Sequence, residues 1–151
     1  MNNQSTQKYI ELGYLDLDDD VVFEYNYEAA NCFGNSYTTW IQSGAAKHAY
    51  DDNILIWFPK FFKNEEWANY QMLDYKVIKE RCLDISKIED HLEKTRNGPQ
   101  KRIIFASMED KSISNKSIYR FLGLYELIPD GKIGETTWKR IATRVNTYSS
   151  T

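Results

Sequence analysis

Ile118-Tyr119-Arg120-Phe121-Leu122-Gly123-Leu124-Tyr125-Glu126-Leu127 is the stretch that decides how this chain folds. In an extended backbone Tyr119, Phe121, Tyr125 and Leu127 share one face with Gly123. Ile118, Arg120, Leu122, Leu124 and Glu126 share the other. Both faces are largely apolar, which predicts a central strand covered on both sides. A glycine inside such a strand marks a bend or a close backbone approach, as a curled or closed sheet requires.

Working outward, Arg102-Ile103-Ile104-Phe105-Ala106 and residues 138–145 read as the flanking strands of a β-meander that begins at residue 101. The polar stretch 109–117 and the turn Pro129-Asp130-Gly131-Lys132 join them. Ile54-Leu55-Ile56-Trp57-Phe58 is a short apolar strand ended by Pro59, and its adjacent Trp57 and Phe58 must point to opposite faces. After the acidic turn Asp16 to Asp20, residues 21–27 alternate as a strand with Phe23, Tyr25 and Tyr27 on one face. Residues 31–53 read as a long loop, or a short helix plus loops, and such segments tend to carry function. Asn64 is placed to cap a helix in which Trp67, Tyr70, Leu73, Val77 and Ile78 recur at helical spacing, with Trp67 in the core. A second helix starts at Ser86, where Ser86-Lys87-Ile88-Glu89 reads as a capping box, and stops at Asn97-Gly98-Pro99. The expected class is α+β: a curled, mainly antiparallel sheet or a barrel, with two flanking helices.

Composition sets the bounds. The chain has 151 residues, 42% of them hydrophobic, with 4 Trp, 11 Tyr and 7 Phe, enough for one core in a single domain over 1–151 with flexible ends at 1–8 and 147–151. No apolar run approaches the ~18 residues of a bilayer span, and the amino end lacks the features of a secretory leader. Cys32 and Cys82 make neither a disulfide framework nor a zinc site, so a reducing, cytoplasmic setting with no metal and no cofactor is expected. The net charge of -3 is unevenly spread: residues 1–30 hold seven acids against Lys8, and residues 111–151 hold seven bases against three acids. A basic carboxy-terminal third suits phosphate contact.

The central strand, preceded by Lys101-Arg102-Ile103-Ile104-Phe105-Ala106 and followed by Trp138-Lys139-Arg140-Ile141, resembles a signature of PUA-like barrels. Similar strands occur in SRA, EVE and ASCH-type domains, including modified-cytosine readers of modification-dependent restriction systems. Ser36-Tyr37-Thr38-Thr39-Trp40 through Trp57-Phe58-Pro59-Lys60 resembles segments that precede such strands. The resemblance implies a concave pocket that holds one nucleobase, often flipped from its strand. On that reading Tyr37, Trp40 and Trp57 stack on the base, while Asn35, Ser36 and Thr38 read its edge. Lys60, Arg120, Arg140 and Arg144 hold the flanking phosphates. The implied partner is a nucleic acid or modified nucleotide, beside a nuclease or other protein. The negative net charge favours a small or single-stranded ligand over a tight duplex complex.

Two further readings compete. An ASCH-like hydrolase of modified nucleosides or RNA would draw on Lys47, Thr38, Glu126 and Lys60. An acidic protein-binding inhibitor would use the amino end, although such mimicry normally needs more negative charge than -3. His48 lies in the loop region without a positioned partner, and His91, among Glu89, Asp90 and Glu93, reads as one member of a surface ion pair. Cys32 has no histidine at a telling spacing. The cluster Asp16, Asp18, Asp19, Asp20 lacks the glycine and distal glutamate of a calcium loop. No phosphate-cradling glycine loop and no nucleophile elbow is present. A binding module, and not an enzyme, is the leading expectation.

Overall fold

The computed structural model describes residues 4–129 and 134–150. Its organising element is the strand expected from the sequence. β8 (Ser117–Ile128) pairs antiparallel with β7 (Lys101–Glu109) on one side. On the other side it pairs with β9 (Glu135–Ala142) and, further along, with the two-residue β2 (Val22–Phe23). The meander 7-8-9 therefore stands as expected, while its turn at residues 130–133 lies outside the described residues. β4 (Ile54–Trp57) adds to β7 in parallel, and β3 (Ala45–Lys47) adds to β4. Beyond β9 come β6 (Val77–Cys82) and β5 (Trp67–Met72), giving the path β3-β4-β7-β8-β9-β6-β5. A separate pair joins β1 (Tyr14–Asp16) to β10 (Arg144–Asn146).

The sheet curls strongly. Arg102 of β7 and Glu80 of β6 are separated by two intervening strands, about 14 Å if the sheet were flat. Their side chains nevertheless meet at 3.3 Å across the inner face. No ladder closes the curl into a barrel among the described residues. Residues 59–63 run across the gap instead, touching Ser107 of β7 and Ala68 of β5 through isolated bridges.

Gly123 explains part of the bend. Its φ is +115°, and an added Cβ would lie 2.6 Å from the Ala142 carbonyl oxygen. Pairing registers shift beside it, between Ile104 and Phe105 and between Leu124 and Tyr125. Gly123→Ala is therefore expected to cost about 2–4 kcal/mol through strain and steric displacement. Urea unfolding checks this, and a midpoint unchanged from wild type contradicts it.

Each face of the curl has its own core. The outer face buries Phe23, Phe33, Ile56, Phe58, Ile103, Phe105 and Phe121. The helices α1 (Gln4–Leu12) and α2 (Asn26–Ala30) cover this side, pinned together by the Thr6 hydroxyl, which donates to the Glu28 carbonyl at 2.8 Å. The inner face buries Trp57, Ile78, Ile104, Leu122, Tyr125 and Trp138. Trp57 and Phe58 thus face opposite cores, as their adjacency demanded.

Four expected elements differ. Residues 64–78 are not a helix. The Asn64 side chain accepts from the Glu66 and Trp67 amides and makes a tight turn into the β5–β6 hairpin, whose tip places Leu73, Asp74 and Tyr75 at φ 54°, 56° and 64°. Residues 21–27 give only the short β2, because Glu28 accepts from the Tyr25 amide and Asn26 begins α2. The second helix, α3 (Ile88–Asn97), follows a 3-10 turn in which Asp84, and not Ser86, is the cap. The expected strand 138–145 breaks after Ala142, and its continuation pairs with β1.

Candidate functional site

The inner face is apolar over most of its depth and polar at one end. Along β5 the alternation puts Trp67, Asn69 and Gln71 on this face, and register sets Asn69 opposite Glu80 and Gln71 opposite Ile78. β9 brings Thr136 opposite Glu80 and Trp138 opposite Ile78. β7 brings Arg102, with its side chain only 11% exposed. Its guanidinium carbon lies 4.5 Å from the centre of the Trp57 ring and 4.0 Å from that of Trp138, so both indoles bracket the cation. Burial pulls the Arg102 pKa down, and Glu80 opposes that pull.

Glu80 is the hub. Its Oε1 accepts from Arg102 Nη1 at 3.3 Å and from the Thr136 hydroxyl at 3.4 Å. Trp138 Nε1 donates in turn to Thr136 at 3.2 Å. From α3, His91 leans over this group, with Nε2 3.9 Å from Glu80 Oε1 and its ring edge-on to Trp67 at 4.9 Å. Burial first, then the Arg102 charge, lower the His91 pKa, against Glu80 and Asp90.

Three buried atoms in this neighbourhood have no hydrogen-bond partner: Asn69 Oδ1, Arg102 Nε and His91 Nε2. An unpaired buried group costs roughly 1–3 kcal/mol, so three together call for a physical explanation. A cleft of about 550 Å³ between residues 59–63 and β5 reaches Asn69 and Gln71, with Phe61 and Phe62 on its far wall.

The residues singled out from the sequence fall in different places. Trp57 belongs to the inner face. Tyr37 and Trp40 stand exposed on their loop, at 39% and 57%, with Ser36 and Thr38 exposed beside them. The Asn31 amide clamps the backbone of Tyr37, and Asn35 spends its amide on the Ala30 and Lys47 carbonyls. No ring contact or hydrogen bond joins Tyr37 or Trp40 to Trp57 among the described residues.

The cations divide likewise. Lys60 is exposed. Arg120 lies between Asp20 at 3.1 Å and Asp110 at 3.6 Å. Arg140 donates from Nε to the Leu122 carbonyl at 2.8 Å and from Nη2 to the Tyr125 hydroxyl at 3.2 Å. Arg144 donates to Asp16 at 2.8 Å and covers the Tyr14 ring. Three of the four are thus held by internal acceptors.

Of the other candidates, Lys47, Thr38, Glu126 and Lys60 share no hydrogen bond or ion pair among the described residues. His48 is buried and accepts the Tyr50 amide on Nδ1, and burial lowers its pKa against the pull of Asp51. Burial also pushes the Cys32 thiol well up. Among the described residues no three His, Cys, Asp or Glu side chains gather to hold a metal ion. No described helix is long and apolar enough to cross a membrane.

Asn69, Glu80 and Thr136 were not singled out from the sequence, and Arg102 was read only as part of a strand. The surface ion pair expected of His91 is corrected by its position: the side chain is 10% exposed and faces Glu80. The available signal was two-residue alternation, with Trp67 and Asn69 in phase on one strand and Ile78 and Glu80 on the next.

A family model described as the SET and RING associated domain, SRA, matches residues 8–147. Among solved structures, the 5-hydroxymethylcytosine-specific restriction enzyme AbaSI matches with a TM-score of 0.89 and 40% identity. The match covers 97% of this chain and 46% of that enzyme's chain, so the present chain spans about half of it. A search of curated proteins finds no match.

Proposed function

Because the chain belongs to the SET and RING associated (SRA) domain family, we propose that it captures a single modified cytosine of DNA in the polar end of the inner face. The base enters through the cleft beside β5. Trp57 and Trp67 supply stacking surfaces, and Asn69 and Glu80 read the base edge. The observation that carries this reading is the trio of unpaired buried atoms beside bracketing indoles. A cytosine edge offers what two of them lack. Its exocyclic amine donates to Asn69 Oδ1, and its ring nitrogen or carbonyl accepts from Arg102 Nε.

Under the same reading the exposed loop with Asn35, Ser36, Tyr37, Thr38 and Trp40 meets the nucleic acid around the extruded base. Lys60 contacts a flanking phosphate, and the three arginines do so only by exchanging their internal acceptors. A nuclease, joined to this chain or separate, is the partner that turns recognition into restriction.

Asn69→Ala tests the pocket. It removes an acceptor that has no partner in the free protein, so folding survives. Binding to a duplex with one modified cytosine is expected to fall about tenfold, the worth of one good edge contact. Fluorescence anisotropy at fixed salt reads the change. Unaltered affinity contradicts the pocket.

A further inference from the structure

We infer that His91 is the group that reads a hydroxyl on the 5-substituent of the captured cytosine, an assignment that rests on the base-capture reading above. The argument is one of matching atoms. A cytosine edge provides a donor for Asn69 Oδ1 and an acceptor for Arg102 Nε, which leaves His91 Nε2 alone without a partner. On the ring, the 5-position adjoins the carbon that bears the amine. A group that contacts the substituent must therefore stand close to the groups that contact the amine.

His91 meets that condition. Its Nε2 is 3.9 Å from Glu80 Oε1, and Glu80 lies directly across from Asn69 in the β5–β6 register. The side chain is nine-tenths buried, and Trp67 packs edge-on against the imidazole, which limits rotation of the ring. A hydroxyl both donates and accepts, so it pairs with this nitrogen in either tautomer. A methyl group does neither and leaves the nitrogen unpaired. The site then discriminates by the cost of an orphaned buried atom.

The test compares duplexes with a single 5-hydroxymethylcytosine or a single 5-methylcytosine, measured on wild type, His91→Leu and Trp57→Ala. Wild type is expected to prefer the hydroxymethyl duplex by about tenfold, as one buried hydrogen bond allows. In His91→Leu the ratio falls toward one, and His91→Gln restores part of it. A ratio in His91→Leu equal to that of wild type overturns the inference and leaves base capture standing. With an unmodified duplex measured alongside, equal binding of all three duplexes by wild type, unaffected by Trp57→Ala, overturns both. Should His91→Leu fail to fold, the ring nitrogens of the wild-type protein decide, since the chain has only 2 histidines to assign. Their 15N shifts are expected to move with the hydroxymethyl duplex and not with the methyl duplex. Identical shifts with both overturn the inference.

Discussion

Trp57→Ala is expected to weaken binding of a duplex with one modified cytosine by about 10- to 100-fold, within the roughly 1–3 kcal/mol that stacking a base on an aromatic ring contributes. Trp57 is 8% exposed and braces Arg102, so the substitution also leaves a void and a poorly held cation. Two controls separate these effects. Thermal melting reports the loss of packing, and an unmodified duplex reports the loss of general affinity. The reading requires the modified duplex to lose much more than the unmodified one. Trp40→Ala is the comparator: a ring 57% exposed on a loop contributes less to a single captured base, and its loss is expected to affect both duplexes alike. Equal losses from Trp40 and Trp57 would move the site from the cup to the loop.

The second large effect concerns stability. Arg102→Met is expected to destabilise the fold by about 3–5 kcal/mol, because it leaves Glu80 as a buried carboxylate without its cation. The cost of such a change lies mostly in the charge left behind. Arg102→Met combined with Glu80→Leu is therefore expected to recover much of the loss, while abolishing recognition of the base edge. A double-mutant cycle in urea, paired with anisotropy on the same proteins, reads both quantities. If the double variant proves as unstable as Arg102→Met alone, the bracket of Trp57 and Trp138 around the guanidinium matters more than the ion pair.

Much of the frame was legible in the sequence. Residues 118–127 announced a central strand because apolar side chains on both faces leave no solvent side, and Gly123 marked the bend. The hairpin 67–82 was not legible. Trp67, Tyr70, Leu73, Val77 and Ile78 satisfy helical spacing, and Asn64 followed by two glutamates imitates a cap. What settles the matter is pairing of Val77 to Arg81 with residues 135–139, a contact across nearly sixty positions that local patterning does not register. The polar end of the cup was hidden for the same reason. Glu80 reads as a surface acid until Arg102, brought round by the curl, stands beside it. His91 sits among acids in the chain, yet the acid that faces it comes from another element. Trp57 was named through the family resemblance, and alternation against Phe58 is what separates the two rings onto opposite faces.

On the base-capture reading, the seam at residues 59–63 is the way in for the base. On one side the Ser107 amide donates to the Pro59 carbonyl at 2.8 Å, and on the other the Asn69 amide donates to the Phe62 carbonyl at 2.9 Å. Parting these few bonds takes less than unzipping a long ladder. On that reading entry and scaffold are uncoupled: reinforcing the packing beneath α1 and α2 is expected to lengthen the life of the folded protein without slowing binding.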